Sequence, residues 1–146
     1  MGVNLVGKNG NQFDLSWSCW SPIAEYCNAL ESVLCKKCKH WFSNDGAGLN
    51  AIDSAKLGKS LLKSLSNGQL DHWRVGFLQH AAAIPLKHCD YCGGFGVRDD
   101  IFLKGICNSC GGKGYYTDYR ANRDLHKDLV KEFAEFLINS HGFEIW

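Results

Sequence analysis

A cysteine–glycine pattern written twice constrains this chain more than any other feature. Cys89-Asp90-Tyr91-Cys92-Gly93-Gly94-Phe95-Gly96 and Cys107-Asn108-Ser109-Cys110-Gly111-Gly112-Lys113-Gly114 both follow C-x-x-C-x-G-x-G. Two thiolates two residues apart can wrap one ion, because a knuckle turn brings both sulfurs to about 2.3 Å from the metal. The glycines behind each pair allow positive-φ backbone and leave N–H groups near the sulfurs. Two knuckles close a tetrahedron with no open position. The pattern therefore predicts one structural zinc ion on Cys89, Cys92, Cys107 and Cys110. An iron–sulfur cluster is the nearest competitor for four cysteines. A redox dithiol would need a single exposed pair at a helix N-terminus, and glycine at this density does not sustain a helix. The stretch from Gly93 to Ile106 is expected as an extended loop or hairpin carrying Phe95, Val97, Ile101 and Phe102.

Eight cysteines in 146 residues would suggest disulfides in a secreted chain. Met1 to Gly10 is polar and Gly-rich, no apolar run of signal-peptide length follows, and no stretch approaches the roughly 20 apolar residues of a membrane span. The expectation is a cytoplasmic protein with reduced thiols and no membrane partner. Hydrophobic residues at 45% indicate a globular fold, and the formal charge of +1 gives no global drive toward nucleic acid or acidic lipid.

A second, shorter cluster is Cys35-Lys36-Lys37-Cys38-Lys39-His40. Cys35, Cys38 and His40 could supply three ligands of a second zinc. The fourth is not obvious: on a continuous helix Cys27 would lie about 12 Å from Cys35 along the axis. The rival reading is a loop with free thiols and a solvated lysine cluster. Cys19 and Cys27 read as small buried hydrophobes.

Periodicity organises the remainder. Phe13, Leu15, Trp17 and Cys19 alternate with polar residues, predicting a half-buried strand from Phe13 to Trp20. Ser21-Pro22 then reads as an N-cap and first helical residue, opening a helix to about Leu34. Asn50 with Asp53 three residues on predicts a second helix ended by Asn67-Gly68, with Gly58 as a weak point inside it. Helices are also expected over 72–84 and 122–140, with a short terminal strand after Gly142. The fold class that follows is α+β: a single domain over 1–146, its small helical core packed on a short sheet, with a zinc-knuckle hairpin lobe inserted at 87–119.

Each cysteine repeat resembles those of the DnaJ co-chaperones over residues 89–114, which implies that the two repeats share one zinc; no His-Pro-Asp tripeptide occurs, so co-chaperone activity is not implied. More broadly, the chain is similar to a family of small uncharacterised proteins encoded by bacteria and their phages. The likeness rests on Trp20-Ser21-Pro22-Ile23-Ala24-Glu25-Tyr26-Cys27, the turn from Ser43 to Leu49, the helix after it, the cysteine repeats and Gly142-Phe143-Glu144-Ile145. That family has Arg-Pro where this chain has Ser21-Pro22, and an aromatic residue at the position of Cys19. It carries no activity to transfer.

The function expected from these readings is a zinc-stabilised small binding protein acting through protein–protein contacts, a phage-encoded modulator of a host defence system. The alternative is a nucleic-acid-binding accessory protein: Tyr91, Phe95, Phe102, Tyr115, Tyr116 and Tyr119 interleave with Arg98, Lys104, Lys113, Arg120 and Arg123. An enzyme is not expected, since H-E-x-x-H, G-x-S-x-G and P-loop patterns do not occur.

Overall fold

The chain opens with a strand that hydrophobic periodicity does not mark. In the computed structural model, which describes residues 2–146, β1 (Gly2–Gly7) runs antiparallel to β2 (Gln12–Ser16), with Val3 opposite Leu15 and Leu5 opposite Phe13. Val3 and Leu5 are buried on one face. Gly10 adopts φ 87°, and the Asn9 side chain accepts from the Asn11 N–H at 3.0 Å, closing the turn.

β2 is shorter than expected. Ser16 stays extended (φ −68°, ψ 153°), and its hydroxyl accepts from the Cys19 N–H at 3.4 Å. α1 (Trp17–Leu30) therefore starts here, not at Ser21-Pro22, and Pro22 lies inside the helix. Trp20, Ile23, Ala24 and Cys27 fall at helical spacing and are all buried, so they outweigh the alternation of Trp17 and Cys19. Pro22 gives up one helical hydrogen bond for this. The helix breaks at Glu31 (φ −131°, ψ 57°) before a single further turn, α2 (Ser32–Cys35).

β3 (Gly48–Asn50) leads into α3 (Ala51–Ser66). Asn50 caps it as the sequence indicates: its side chain accepts from the Asp53 N–H at 2.9 Å and donates to the Asp53 carboxylate at 2.8 Å. α4 (Gln69–Ala82) follows Gly68, which has φ 79°. α5 (Lys127–Asn139) begins later than the expected Asn122; Tyr119–Asn122 is a 3-10 turn, and Leu125 is buried ahead of the helix. Gly58 is explained by α5: a Cβ there would lie 2.6 Å from the Ala134 carbonyl, so only glycine permits this helix crossing. β8 (Gly142–Ile145) is a central strand, giving the antiparallel order β2-β1-β8-β3.

The fold is α+β, and the chain divides into two compact units. The first comprises Met1–Leu78 and Asp124–Trp146 and holds the hydrophobic core, with Leu5, Trp20, Tyr26, Leu57, Leu61, Phe133, Leu137 and Phe143 buried. The second is Gln79–Arg123. It contains two minimal antiparallel ribbons: β4 (Lys87–His88) with β7 (Tyr115–Tyr116), and β5 (Val97–Asp99) with β6 (Lys104–Ile106). Among the described residues, no helix is long and apolar enough to cross a membrane.

Candidate metal centre

The two knuckles are near-copies of each other at an offset of 18 residues. In the first, the Gly94 and Phe95 N–H groups donate to the Cys89 and Cys92 carbonyls at 3.2 and 3.1 Å. In the second, the Gly112 and Lys113 N–H groups donate to the Cys107 and Cys110 carbonyls at 3.1 and 3.2 Å. The copies are stitched together reciprocally: Cys89 N–H to the Gly114 carbonyl, and Cys107 N–H to the Gly96 carbonyl, both 2.9 Å. Here the last glycine of each motif is indispensable. Gly96 and Gly114 have φ 76° and 80°, and a Cβ on either would lie 2.3 Å from the Gly112 oxygen or 2.2 Å from the Gly94 oxygen. No side chain fits where the two tails cross.

This arrangement brings all four predicted sulfurs together, within 4.8 Å of one another. Cys89 Sγ is 3.9 Å from Cys107 Sγ, and Cys92 Sγ is 3.8 Å from Cys110 Sγ. The Gly96 N–H donates to Cys92 Sγ at 3.3 Å and the Gly114 N–H to Cys110 Sγ at 3.2 Å, the role expected of the glycine tails. The cluster can hold a metal ion.

Thiol acidity is uneven across it. The Tyr116 hydroxyl, 3.4 Å from Cys89 Sγ, is the main influence bringing that thiol down to about 6. Burial pushes Cys110 up, but the Gly114 N–H and the Cys107 and Cys92 side chains outweigh it and leave this thiol below its ordinary value. At Cys107 burial prevails and the thiol is raised.

Charged side chains brace this unit. Asp118 has a fully buried carboxylate that accepts from the Arg120 guanidinium at 2.9 Å and pairs with the Lys87 ammonium at 2.8 Å. Arg120 above all, then Lys87, holds its pKa well below the usual carboxylate range. Lys87 and Asp118 lie on the two chain segments that enter and leave the cysteine region. Asp100 accepts from the Phe102 and Leu103 N–H groups at 2.8 and 3.0 Å and from Arg98 Nε at 2.6 Å, which fixes the β5–β6 turn.

Cys35, Cys38 and His40 are placed differently. Cys35 and Cys38 are buried in the hydrophobic core of the first unit. The Cys35 thiol donates to the Cys27 carbonyl at 3.3 Å, and burial pushes its pKa up to about 12. Burial also raises Cys38. The loop is pinned by Trp41, whose indole donates to the Cys35 carbonyl at 2.9 Å and whose own carbonyl accepts from the Trp20 indole at 2.8 Å. His40 is exposed, with Nε2 3.6 Å from Asp45 Oδ2. Among the described residues, the Cys89 cluster is the one group of three or more His, Cys, Asp or Glu side chains close enough to share an ion.

Sequence reasoning does not single out Tyr116, Ser109, Arg98 or Asp118 as residues of the metal centre. The signal for the first three is the repeat itself: the offset of 18 residues pairs Tyr116 with Arg98 and Ser109 with Tyr91. No family model, curated protein or solved structure matches this chain.

Proposed function

We propose that the chain is a zinc-stabilised protein-binding module, with the ion holding the β5–β6 hairpin in shape and the hairpin tip making contact with a partner protein. The observation that carries this is the turn between β5 and β6, where Ile101 and Phe102 are 91% and 83% exposed on backbone fixed by Asp100. Adjacent large apolar side chains held outward on a rigid turn are pre-organised for an apolar pocket, so binding would cost little ordering entropy.

The donor set supports zinc. Sulfurs at the corners of a tetrahedron with arms of about 2.3 Å would be about 3.8 Å apart, which suits the observed 3.8 and 3.9 Å. Four thiolates leave zinc no water to activate, so a structural role fits better than catalysis. Charge favours a protein partner over nucleic acid. Arg98, Lys104, Lys87 and Arg120 of this unit are engaged with Asp100, Asp99 and Asp118, and a four-thiolate zinc site adds two negative charges. The resemblance to bacterial and phage-encoded proteins makes a host protein the partner to seek.

The test combines metal analysis with affinity capture from the native host cell. Protein purified without added metal should carry about one equivalent of zinc; iron instead would refute the zinc assignment. A partner captured by the parent should be lost with Ile101→Ser/Phe102→Ser, while the zinc remains bound. It should be retained by Val33→Ser, which alters an apolar side chain 79% exposed in the first unit. Capture that is unchanged in the double variant, or abolished by nuclease, would overturn the protein-binding reading.

A further inference from the structure

The two halves of the cysteine cluster differ in one respect that the repeat makes plain. Shifting by 18 residues maps Ser109 and Tyr116 of one half onto Tyr91 and Arg98 of the other. In both halves these paired residues touch. The Ser109 hydroxyl lies 2.5 Å from the Tyr116 hydroxyl, and the Arg98 guanidinium lies 5.8 Å from the centre of the Tyr91 ring. The contact recurs, but its chemistry has diverged. Only one half ends in a hydroxyl that reaches a sulfur, at Cys89.

We infer that Tyr116 is a ligand-positioning residue of the metal centre, and that Ser109 orients it through a hydroxyl relay ending on Cys89 Sγ. This rests on the metal-binding reading above. The direction of the relay follows from proton counting. A metal-bound thiolate has no proton, so between Cys89 and Tyr116 only the phenol can donate. Once its single proton is directed at sulfur, the phenol oxygen can only accept from Ser109. Ser109 sits between Cys107 and Cys110, so the relay links the backbone of the second knuckle to the sulfur of the first. Backbone N–H groups that come with the knuckle turns reach all four sulfurs: Gly96 at Cys92, Gly114 at Cys110, Tyr91 and Cys92 at Cys89, and Ser109 and Cys110 at Cys107. Cys89 receives a side-chain hydroxyl in addition, from Tyr116. Tyr116 is the side-chain donor of the set, so it can be removed without touching a ligand or a glycine. Hydrogen bonds to metal ligands fix their orientation, and losing one costs about 10- to 100-fold in metal affinity.

Tyr116→Phe keeps the ring and deletes the hydroxyl. Competition with a chromophoric chelator, using zinc alone as the probe, should show it binding metal about 10- to 100-fold more weakly than the parent. In the cobalt-substituted protein, the sulfur-to-metal charge-transfer bands should shift while four-sulfur coordination persists. Ser109→Ala should weaken binding in the same direction by less, because Tyr116 can still donate. It also provides the test should Tyr116→Phe fail to fold. If Tyr116→Phe or Ser109→Ala binds zinc with parental affinity and unshifted cobalt bands, the inference is wrong and the metal reading survives. The inference is equally wrong if only Tyr116→Leu weakens binding, since that is loss of packing. If the parent takes up neither zinc nor cobalt, the metal reading itself fails.

Discussion

The two units of this molecule bury different things. In the first, Leu5, Trp20, Leu57, Leu61, Phe133 and Phe143 are almost wholly removed from water, and rings pack in contact: Trp20 meets Phe133 edge-on at 5.5 Å and stacks with Trp41 at 5.9 Å. Between Lys87 and Arg123 the buried hydrophobic residues are the four cysteines alone. Phe95, Val97, Ile101, Phe102 and Ile106 all stand more than half exposed there. The first unit can be held by apolar burial at roughly 25 cal/mol per Å². The second has almost no such area, so its order must come from something that ties the sulfurs together. The exposed side chains divide along the same line: residues of a kind that forms the core of the first unit stand open to solvent in the cysteine unit.

The largest expected effect breaks the comparison open at the metal. Structural zinc contributes on the order of 10 kcal/mol to the folding of small knuckle units, more than a small unit with so little core can supply otherwise. A strong chelator, or Cys107→Ser, should abolish amide protection over residues 87–119. Protection in α3 and α5 should largely persist. Hydrogen exchange with and without chelator measures both at once. Uniform loss of protection across Lys127–Asn139 would mean that the metal holds the whole chain together as one cooperative unit.

Legibility in the sequence follows the same division. The cysteine cluster is legible because its pattern is local: two C-x-x-C-x-G-x-G copies specify which sulfurs come together, their spacing and the positive-φ positions within a few residues of each other. The α3 cap is legible for the same reason, with Asn50 and Asp53 three residues apart. The start of α1 is not. Alternation at Phe13 and Leu15 is strand-like, alternation at Trp17 and Cys19 merely continues it, and only tertiary burial of Trp20, Ile23 and Cys27 decides for a helix capped by Ser16. β1 is hidden because Gly7 leaves only Val3 and Leu5 on its apolar face and Val6 breaks the alternation, while Leu5 finds its partner, Ile145 of β8, at the far end of the chain. Gly58 looks like a flaw in α3 because the Ala134 carbonyl that requires it is remote in sequence.

A smaller effect probes the other unit. Phe133 is fully buried and packs against Phe13, Trp20, Phe136 and Phe143. Phe133→Ala should cost about 3–5 kcal/mol through lost burial and the cavity left behind. Chemical denaturation followed by helical circular dichroism should report that loss, with zinc affinity unchanged. A parallel fall in zinc affinity would tie the two sources of stability together and blunt the contrast.

The smallest effect concerns acid, and it should separate the units by pH. Metal-binding thiolates must lose their protons, so falling pH favours release of the ion. The cysteine unit should therefore be the first to lose order. In the first unit three carboxylates are held low by a cationic partner, Asp124 by Arg74, Glu144 by Lys8 and Asp53 by Lys37, and Asp53 lies at the start of α3. Its carboxylate accepts from the Lys37 ammonium at 2.8 Å and from the Asn50 amide at 2.8 Å, and Lys37 above all holds its pKa below the usual carboxylate value. A depressed folded-state value means that the unfolded chain takes up the proton more readily. The stabilisation is then complete above the unfolded value of about 3.9 and is lost as pH falls through the lower folded value. Acid titration should show two separate events: release of metal with loss of the cysteine-unit amide signals, then, below about pH 4, a decline in the stability of the helical unit. Asp53→Asn removes the titrating group, so the second decline should become shallower while the first stays in place. An unchanged slope below about pH 4 in Asp53→Asn would show that this carboxylate does not set the acid limit of the helical unit. Simultaneous loss of both sets of signals in the parent would show that the ion and the core stand or fall together.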